Sequence, residues 1–195
     1  MIKRLFDIIA ALLGIIILSP FLLIIALLVG IGSRGGILYK QIRVGKDMKE
    51  FRLLKFRTMY ADSDKKGLLT VGMRDSRITP IGYFLRRYKL DELPQLFNVL
   101  MGDMSIVGPR PEVPKYVAMY NAEQKKVLSV RPGITDYASI EYVNENEVLA
   151  KSDKPEELYI NEVMPAKLKL NLKYINEMGF MTDLKIILRT LTKVV

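Results

Sequence analysis

IIAALLGIIILSPFLLIIALLVGIGS, residues 8–33, carries no charge and is almost wholly apolar. Lys3, Arg4 and Asp7 precede it, and Arg34, Lys40, Arg43 and Lys46 follow. A hydrophobic run of about 20 residues or more is a membrane-spanning candidate. The run is too long for the core of a signal peptide and lacks a small-x-small cleavage site. A simple transmembrane helix and a re-entrant one both fit this composition, and two features favour the second. Ser19-Pro20 sits mid-run, and proline lacks the backbone donor that a helix interior needs. Each half is then roughly 17 Å long at the helical rise, about half a hydrocarbon core. Both flanks are also basic, which keeps both on the cytoplasmic side. A helix-break-helix over residues 1–34 is therefore expected, with the Ser19 hydroxyl serving a carbonyl freed by Pro20.

At 195 residues the chain suits one domain plus this anchor, the domain covering residues 35–195. The net charge of +9 points to an anionic partner: nucleic acid, lipid headgroups or a phosphorylated substrate. There is no Cys and no His. That excludes thiol nucleophiles, disulfides, imidazole bases and zinc sites built on Cys or His. Any catalysis rests on the remaining polar side chains or on an oxygen-ligated cation, for which Mg²⁺ is the natural choice.

Residues 37–44 and 51–59 read as strands joined through 45–50, a hairpin in which Lys55 and Arg57 share one face. That face is either a solvated edge or a phosphate-facing pair. Residues 60–77 read as a loop, and its Asp62-Ser63-Asp64 matches the short metal-binding DxD pattern only superficially. Thr79-Pro80 is a helix start, a capping residue followed by proline at the first helical position. A short helix is expected from Pro94 to Leu100, closed by Gly102, with Asp91 and Glu92 at its N-terminus. Prolines flank Arg110 in Gly108-Pro109-Arg110-Pro111 and stiffen the backbone on both sides. Arg131-Pro132-Gly133-Ile134-Thr135 is a second turn-rich loop holding an arginine. Further on, residues 120–128 read as helix, 137–142 as strand, and 155–178 as helix interrupted at Pro165. Residues 181–195 form an amphipathic helix, with Leu184, Ile187, Leu188, Leu191 and Val194 as its apolar stripe. It suits either the domain core or an anionic lipid surface.

An adjacent Asp-Glu pair ordinarily just balances a helix N-terminus. Here Arg86, Arg87 and Lys89 precede the pair and the proline-held Arg110 follows it. Such an aspartate can attack phosphorus and form an aspartyl phosphate, with cations offsetting the repulsion between two anions.

Several blocks occur in one order: Lys3-Arg4 with Asp7, Ser19-Pro20, Lys55-Phe56-Arg57-Thr58-Met59, Leu90-Asp91-Glu92-Leu93-Pro94-Gln95, Gly108-Pro109-Arg110-Pro111 and Arg131-Pro132-Gly133-Ile134-Thr135. Together they make the chain resemble the bacterial sugar transferase family, the monotopic phosphoglycosyl transferases, in their minimal catalytic form. The resemblance implies an α-rich α/β monotopic membrane protein: a re-entrant helix-break-helix, a small β-hairpin and interfacial amphipathic helices. It implies transfer of a sugar 1-phosphate from a nucleotide sugar, usually a UDP-sugar, to polyprenyl (undecaprenyl) phosphate, with release of UMP. It further implies Asp91 as nucleophile, Glu92 as its assistant in metal binding or proton handling, and Mg²⁺ at the pair. Arg57, Arg86 and Arg110, then Lys55 and Arg131, become the phosphate and nucleotide contacts. The implied location is the bacterial inner membrane, with the site on its cytoplasmic face. Membrane lipid is then a partner, nucleic acid is not, and a second copy of the chain stays open. Many members follow the last motif with glycine, whereas this chain has Asp136-Tyr137-Ala138-Ser139-Ile140. The rival reading is a membrane-anchored, headgroup-binding scaffold without catalysis.

Overall fold

The apolar run forms one α-helix, α1 (Ile2–Gly32), with Pro20 inside it. Its 31 residues make about 46 Å of helix measured along its path. The chain is described here from a computed structural model, which covers residues 2–32, 35–61, 63, 69, 72 and 75–194. The interruption expected at Ser19-Pro20 is absent from the backbone. Pro20 cannot donate to the Ile16 carbonyl four residues back, and the Ser19 hydroxyl donates to that carbonyl instead, at 2.9 Å. The serine thus fills the one hydrogen bond the proline removes, and the helix continues.

One stripe of α1 faces the rest of the protein. Asp7, Ala11, Leu22, Ile25 and Val29 are buried, while Ile9, Leu13, Ile17, Leu23, Ile24 and Leu27 are exposed. The first half of the stripe packs Ala11 among Val99 and Met104. The second half packs Leu22, Ile25 and Val29 with Phe56 and Leu85.

The hairpin forms as expected from β1 (Leu38–Val44) and β2 (Glu50–Phe56), antiparallel, with Lys55 opposite Tyr39. After the loop come α2 (Pro80–Arg87), α3 (Gln95–Met101) and β3 (Ser105–Val107). Buried Asn98 sews α3 to β2: the Leu54 amide donates to its Oδ1 at 2.9 Å, and its Nδ2 donates to the Arg52 carbonyl at 2.8 Å. A one-turn helix, α4 (Pro114–Val117), comes next, and a 3₁₀ turn at Gln124–Ser129 stands where an α-helix over 120–128 is expected.

β4 (Gly133–Thr135) pairs in parallel with β3. This brings the two proline-rich loops together backbone to backbone. A Cβ on Gly133 would lie 2.1 Å from the Gly108 nitrogen, so only glycine permits the approach.

The strand expected over 137–142 is instead a helix, α5 (Tyr137–Glu141). Asp136 caps it, accepting from the Ser139 amide at 2.6 Å, and a side-chain cap overrides the alternating apolar pattern. α6 (Glu145–Ala150) and α7 (Pro155–Leu158) follow. A π-helical turn at Tyr159–Val163 then runs straight into α8 (Met164–Glu177). The interruption expected at Pro165 is thus taken up as a change of hydrogen-bond register just before it. The last helix is α9 (Phe180–Val194). It buries Asp183 and Ile186 but leaves Met181, Leu184, Leu188 and Leu191 exposed, at i, i+3, i+7 and i+10 along one side.

Candidate active site

The residues that carry the site lie in a tight turn between two short helices. Thr79 caps α2, its hydroxyl accepting from the Gly82 amide at 3.0 Å. A Cβ at Gly82 would sit 2.0 Å from the Thr58 carbonyl oxygen, so α2 starts hard against the chain leaving β2. At the other end Lys89 takes a left-handed conformation, φ 56°. A non-glycine residue there costs about 1 kcal/mol. This reversal leads at once into a 3₁₀ turn, Leu90–Glu92, and then through Pro94 into α3. Asp91 and Glu92 therefore face a compact, partly buried pocket of charge between α2, α3 and the hairpin.

Glu92 is clamped. Lys55 Nζ lies 3.1 Å from its Oε1, and Arg110 donates through Nη1 to Oε2 at 3.0 Å and through Nη2 to Oε1. Such a forked pair is the strongest carboxylate–arginine geometry. Burial pushes the Glu92 carboxyl upward, but Arg110 and Lys55 outweigh burial and hold it well below its usual range. Glu92 in turn raises the Arg110 guanidinium further above its usual value, against burial. Burial lowers Lys55, with Glu92 and Asp91 opposing.

Asp91 differs. It is 7% exposed, yet its carboxylate has no hydrogen bond or ion pair to a described residue. Burial and then the Glu92 charge raise its pKa, while Lys55, Arg86 and Lys89 pull the other way. Burial lowers the Arg86 guanidinium, and Asp91 is the first group to oppose that. Two neighbouring carboxylates thus have opposite electrostatic environments: one neutralised by fixed cations, the other left available.

Of the expected cationic contacts, Lys55, Arg86 and Arg110 gather here. Arg57 and Arg131 do not bond to either carboxylate. Arg57 donates to the Gly36 carbonyl at 2.9 Å and stacks over Tyr39, with 5.9 Å to the ring centre. Arg131 donates to the Gly102 carbonyl at 2.8 Å, capping the end of α3. Asp62 and Asp64 of the DxD pattern lie outside the described residues. No cluster of three or more carboxylates able to hold a metal occurs among the described residues. With both Glu92 oxygens engaged by cations, Asp91 is the carboxylate free to ligate one.

Sequence reasoning missed the residues that hold the Arg110 loop. Its far end is fixed by Glu112, which accepts from Arg43 at 3.1 Å and from the Tyr159 hydroxyl. Arg43 also donates to the Pro111 carbonyl at 2.8 Å. Asp136 holds the middle, accepting from the Arg110 amide at 3.1 Å. The signal for Asp136 was present: aspartate is a favoured residue at a helix start.

A model of the bacterial sugar transferase family matches residues 1–195. The chain is 37% identical to the undecaprenyl-phosphate glucose phosphotransferase of Komagataeibacter xylinus, over 98% of its own length and 35% of the relative's. It is 46% identical to a putative undecaprenyl-phosphate N-acetylgalactosaminyl 1-phosphate transferase of Bacillus subtilis, over 63% of the chain and 68% of that protein. The exopolysaccharide production protein PSS of Rhizobium leguminosarum bv. phaseoli is 37% identical, with 96% of this chain and 92% of that one covered. The chain spans 40% or less of the length of the glucose-phosphate transferases from Komagataeibacter xylinus, Klebsiella pneumoniae and Escherichia coli that it matches.

Proposed function

The chain belongs to the bacterial sugar transferase family, and from that premise we propose that it transfers a sugar 1-phosphate from a UDP-sugar to undecaprenyl phosphate through Asp91. The observation that carries this reading is the contrast between an unclamped, buried Asp91 and a Glu92 held by Arg110 and Lys55. In the first half-reaction an Asp91 oxygen attacks the phosphorus that bears the sugar. The bond from that phosphorus to the bridging oxygen breaks, and UMP leaves with the electron pair. In the second half a phosphate oxygen of undecaprenyl phosphate attacks the same phosphorus. The aspartyl bond breaks, the carboxylate returns, and undecaprenyl-diphosphate sugar is the product.

Glu92 keeps two cations beside the nucleophile. Lysine has three donors and arginine five, so Lys55 and Arg110 can bind phosphate oxygens without leaving Glu92. Arg86 adds charge from the Asp91 side. Mg²⁺ fits a donor set of one Asp91 carboxylate, diphosphate oxygens and water, and would neutralise charge on the phosphates. The names of the relatives differ in sugar, glucose in one and N-acetylgalactosamine in another.

The anchor is proposed to be re-entrant, α1 staying helical but bending at Pro20, with the site on the cytoplasmic face of the inner membrane. Both halves of the α1 stripe pack on the same domain, and charged groups flank both ends of the run. A helix crossing upright would carry one of those contacts to the far side of the bilayer.

The decisive test incubates the purified chain with Mg²⁺ and a panel of UDP-sugars. Intact mass is expected to show a phosphosugar adduct on Asp91, UMP is released, and Asp91→Asn abolishes both while the protein still sediments with membranes. Full function in Asp91→Asn would favour the scaffold reading instead.

A further inference from the structure

Asp136, which directly follows the Arg131–Thr135 loop, is buried completely. Its two oxygens do different work. Oδ1 accepts from the Ser139 amide at 2.6 Å and starts α5. Oδ2 accepts from the Arg110 amide at 3.1 Å. Arg110 lies between Pro109 and Pro111, so its amide is the one backbone donor within that tripeptide. The Gly108 amide is already spent on the Thr135 carbonyl at 3.0 Å, and the Gly133 amide on the Pro109 carbonyl at 3.0 Å. Asp136 therefore supplies the side-chain contact that fixes the backbone at Arg110 itself, while Glu92 fixes its guanidinium. We propose that Asp136 is a positioning residue for Arg110, aiming its guanidinium at the phosphate bound beside Asp91.

This rests on the transferase reading for its consequence but not for its geometry. Asparagine caps a helix as well as aspartate does. Its single carbonyl oxygen can serve Ser139, but its amide nitrogen is a donor and cannot accept from Arg110. A purely capping role thus predicts a silent Asp136→Asn variant, and a positioning role predicts a damaged one.

The test uses the full chain in lipid nanodiscs, as wild type, Asp136→Asn and Asp136→Ala. Hydrogen exchange is followed in peptides covering 108–112 and α5. Pro109 and Pro111 contribute no amide, so the first peptide reports chiefly on Arg110 and Glu112. Asp136→Asn is expected to keep α5 protected, to lose protection at Arg110, and to lower kcat/KM for the UDP-sugar about tenfold, the scale of one hydrogen bond to a charged group. Asp136→Ala is expected to lose protection in both peptides. Unchanged Arg110 exchange in Asp136→Asn would overturn the proposal. So would faster exchange there with undiminished kcat/KM. If the wild type turns over no nucleotide sugar, the transferase reading fails, while the exchange data still decide whether Asp136 holds Arg110.

Discussion

At Asp91, burial and the Glu92 charge favour the protonated form, and Lys55, Arg86 and Lys89 oppose them without cancelling them. The folded protein thus binds this proton more tightly than the unfolded chain does. Stability from this group falls as pH rises from the ordinary aspartate value through the raised one. Asp91→Asn is therefore expected to be more stable than wild type at pH 7 and to melt at a higher temperature. The gap should close toward pH 4, and a variant less stable than wild type at pH 7 would contradict it. Glu92 has the opposite sign. Its lowered pKa contributes stability that is present above the usual glutamate value and lost as pH falls through the lowered one. Glu92→Gln should cost about 2 kcal/mol at pH 7 in thermal melts. That is below the range for fully buried pairs, because the Arg110 side chain stays 30% exposed. Asp91, Glu92, Lys55, Arg86 and Arg110 could be singled out as candidates from the chain, and the fold brings them together. Which cation clamps which carboxylate was not legible there, because Lys55 and Arg110 reach Glu92 from a strand and a loop far away in sequence.

Among the elements, α1 is joined to β3 by polar contacts as well as by packing. Asp7 is buried and accepts from the Ser105 hydroxyl at 2.9 Å and from the Ile106 amide at 3.0 Å. Lys3 donates to the Val107 carbonyl at 3.0 Å and pairs with Asp183 of α9. Three successive residues of β3, the strand leading to Arg110, thus hang from α1. Asp7→Ala leaves a buried hydroxyl and amide without that acceptor and should cost about 2 kcal/mol in thermal melts. On α9 the exposed row Met181, Leu184, Leu188 and Leu191 suits a lipid surface beside Lys185 and Arg189. A fluorophore attached at position 188 should be quenched by lipid-borne nitroxides in nanodiscs, and a label that stays bright would place this face in water. The hairpin and the capped start of α2 were readable because turn and cap signals are local. The helix at 137–141 was misread as strand because a single side-chain bond from Asp136 outweighs an alternating pattern.

For the whole molecule, the distribution of contacts along α1 sets a topological expectation. Single cysteines at positions 2 and 36 are expected to react with an impermeant maleimide from the same side of sealed membrane vesicles. Labelling from opposite sides would show a helix that crosses. The sequence alone pointed this chain toward a membrane, because an uncharged run of that length is poorly accommodated in water. It also limited the chemistry available, because without Cys or His any catalysis rests on the other polar side chains or on an oxygen-ligated cation. Tertiary structure decided that Pro20 leaves α1 unbroken, since a serine donor replaces the missing amide. It also decided that Arg57 and Arg131 bond elsewhere while Lys55, Arg86 and Arg110 converge on Asp91 and Glu92. Such convergence depends on the parallel pairing of β3 with β4 and on Asn98 stitching α3 to the hairpin, contacts between distant residues that no local pattern encodes.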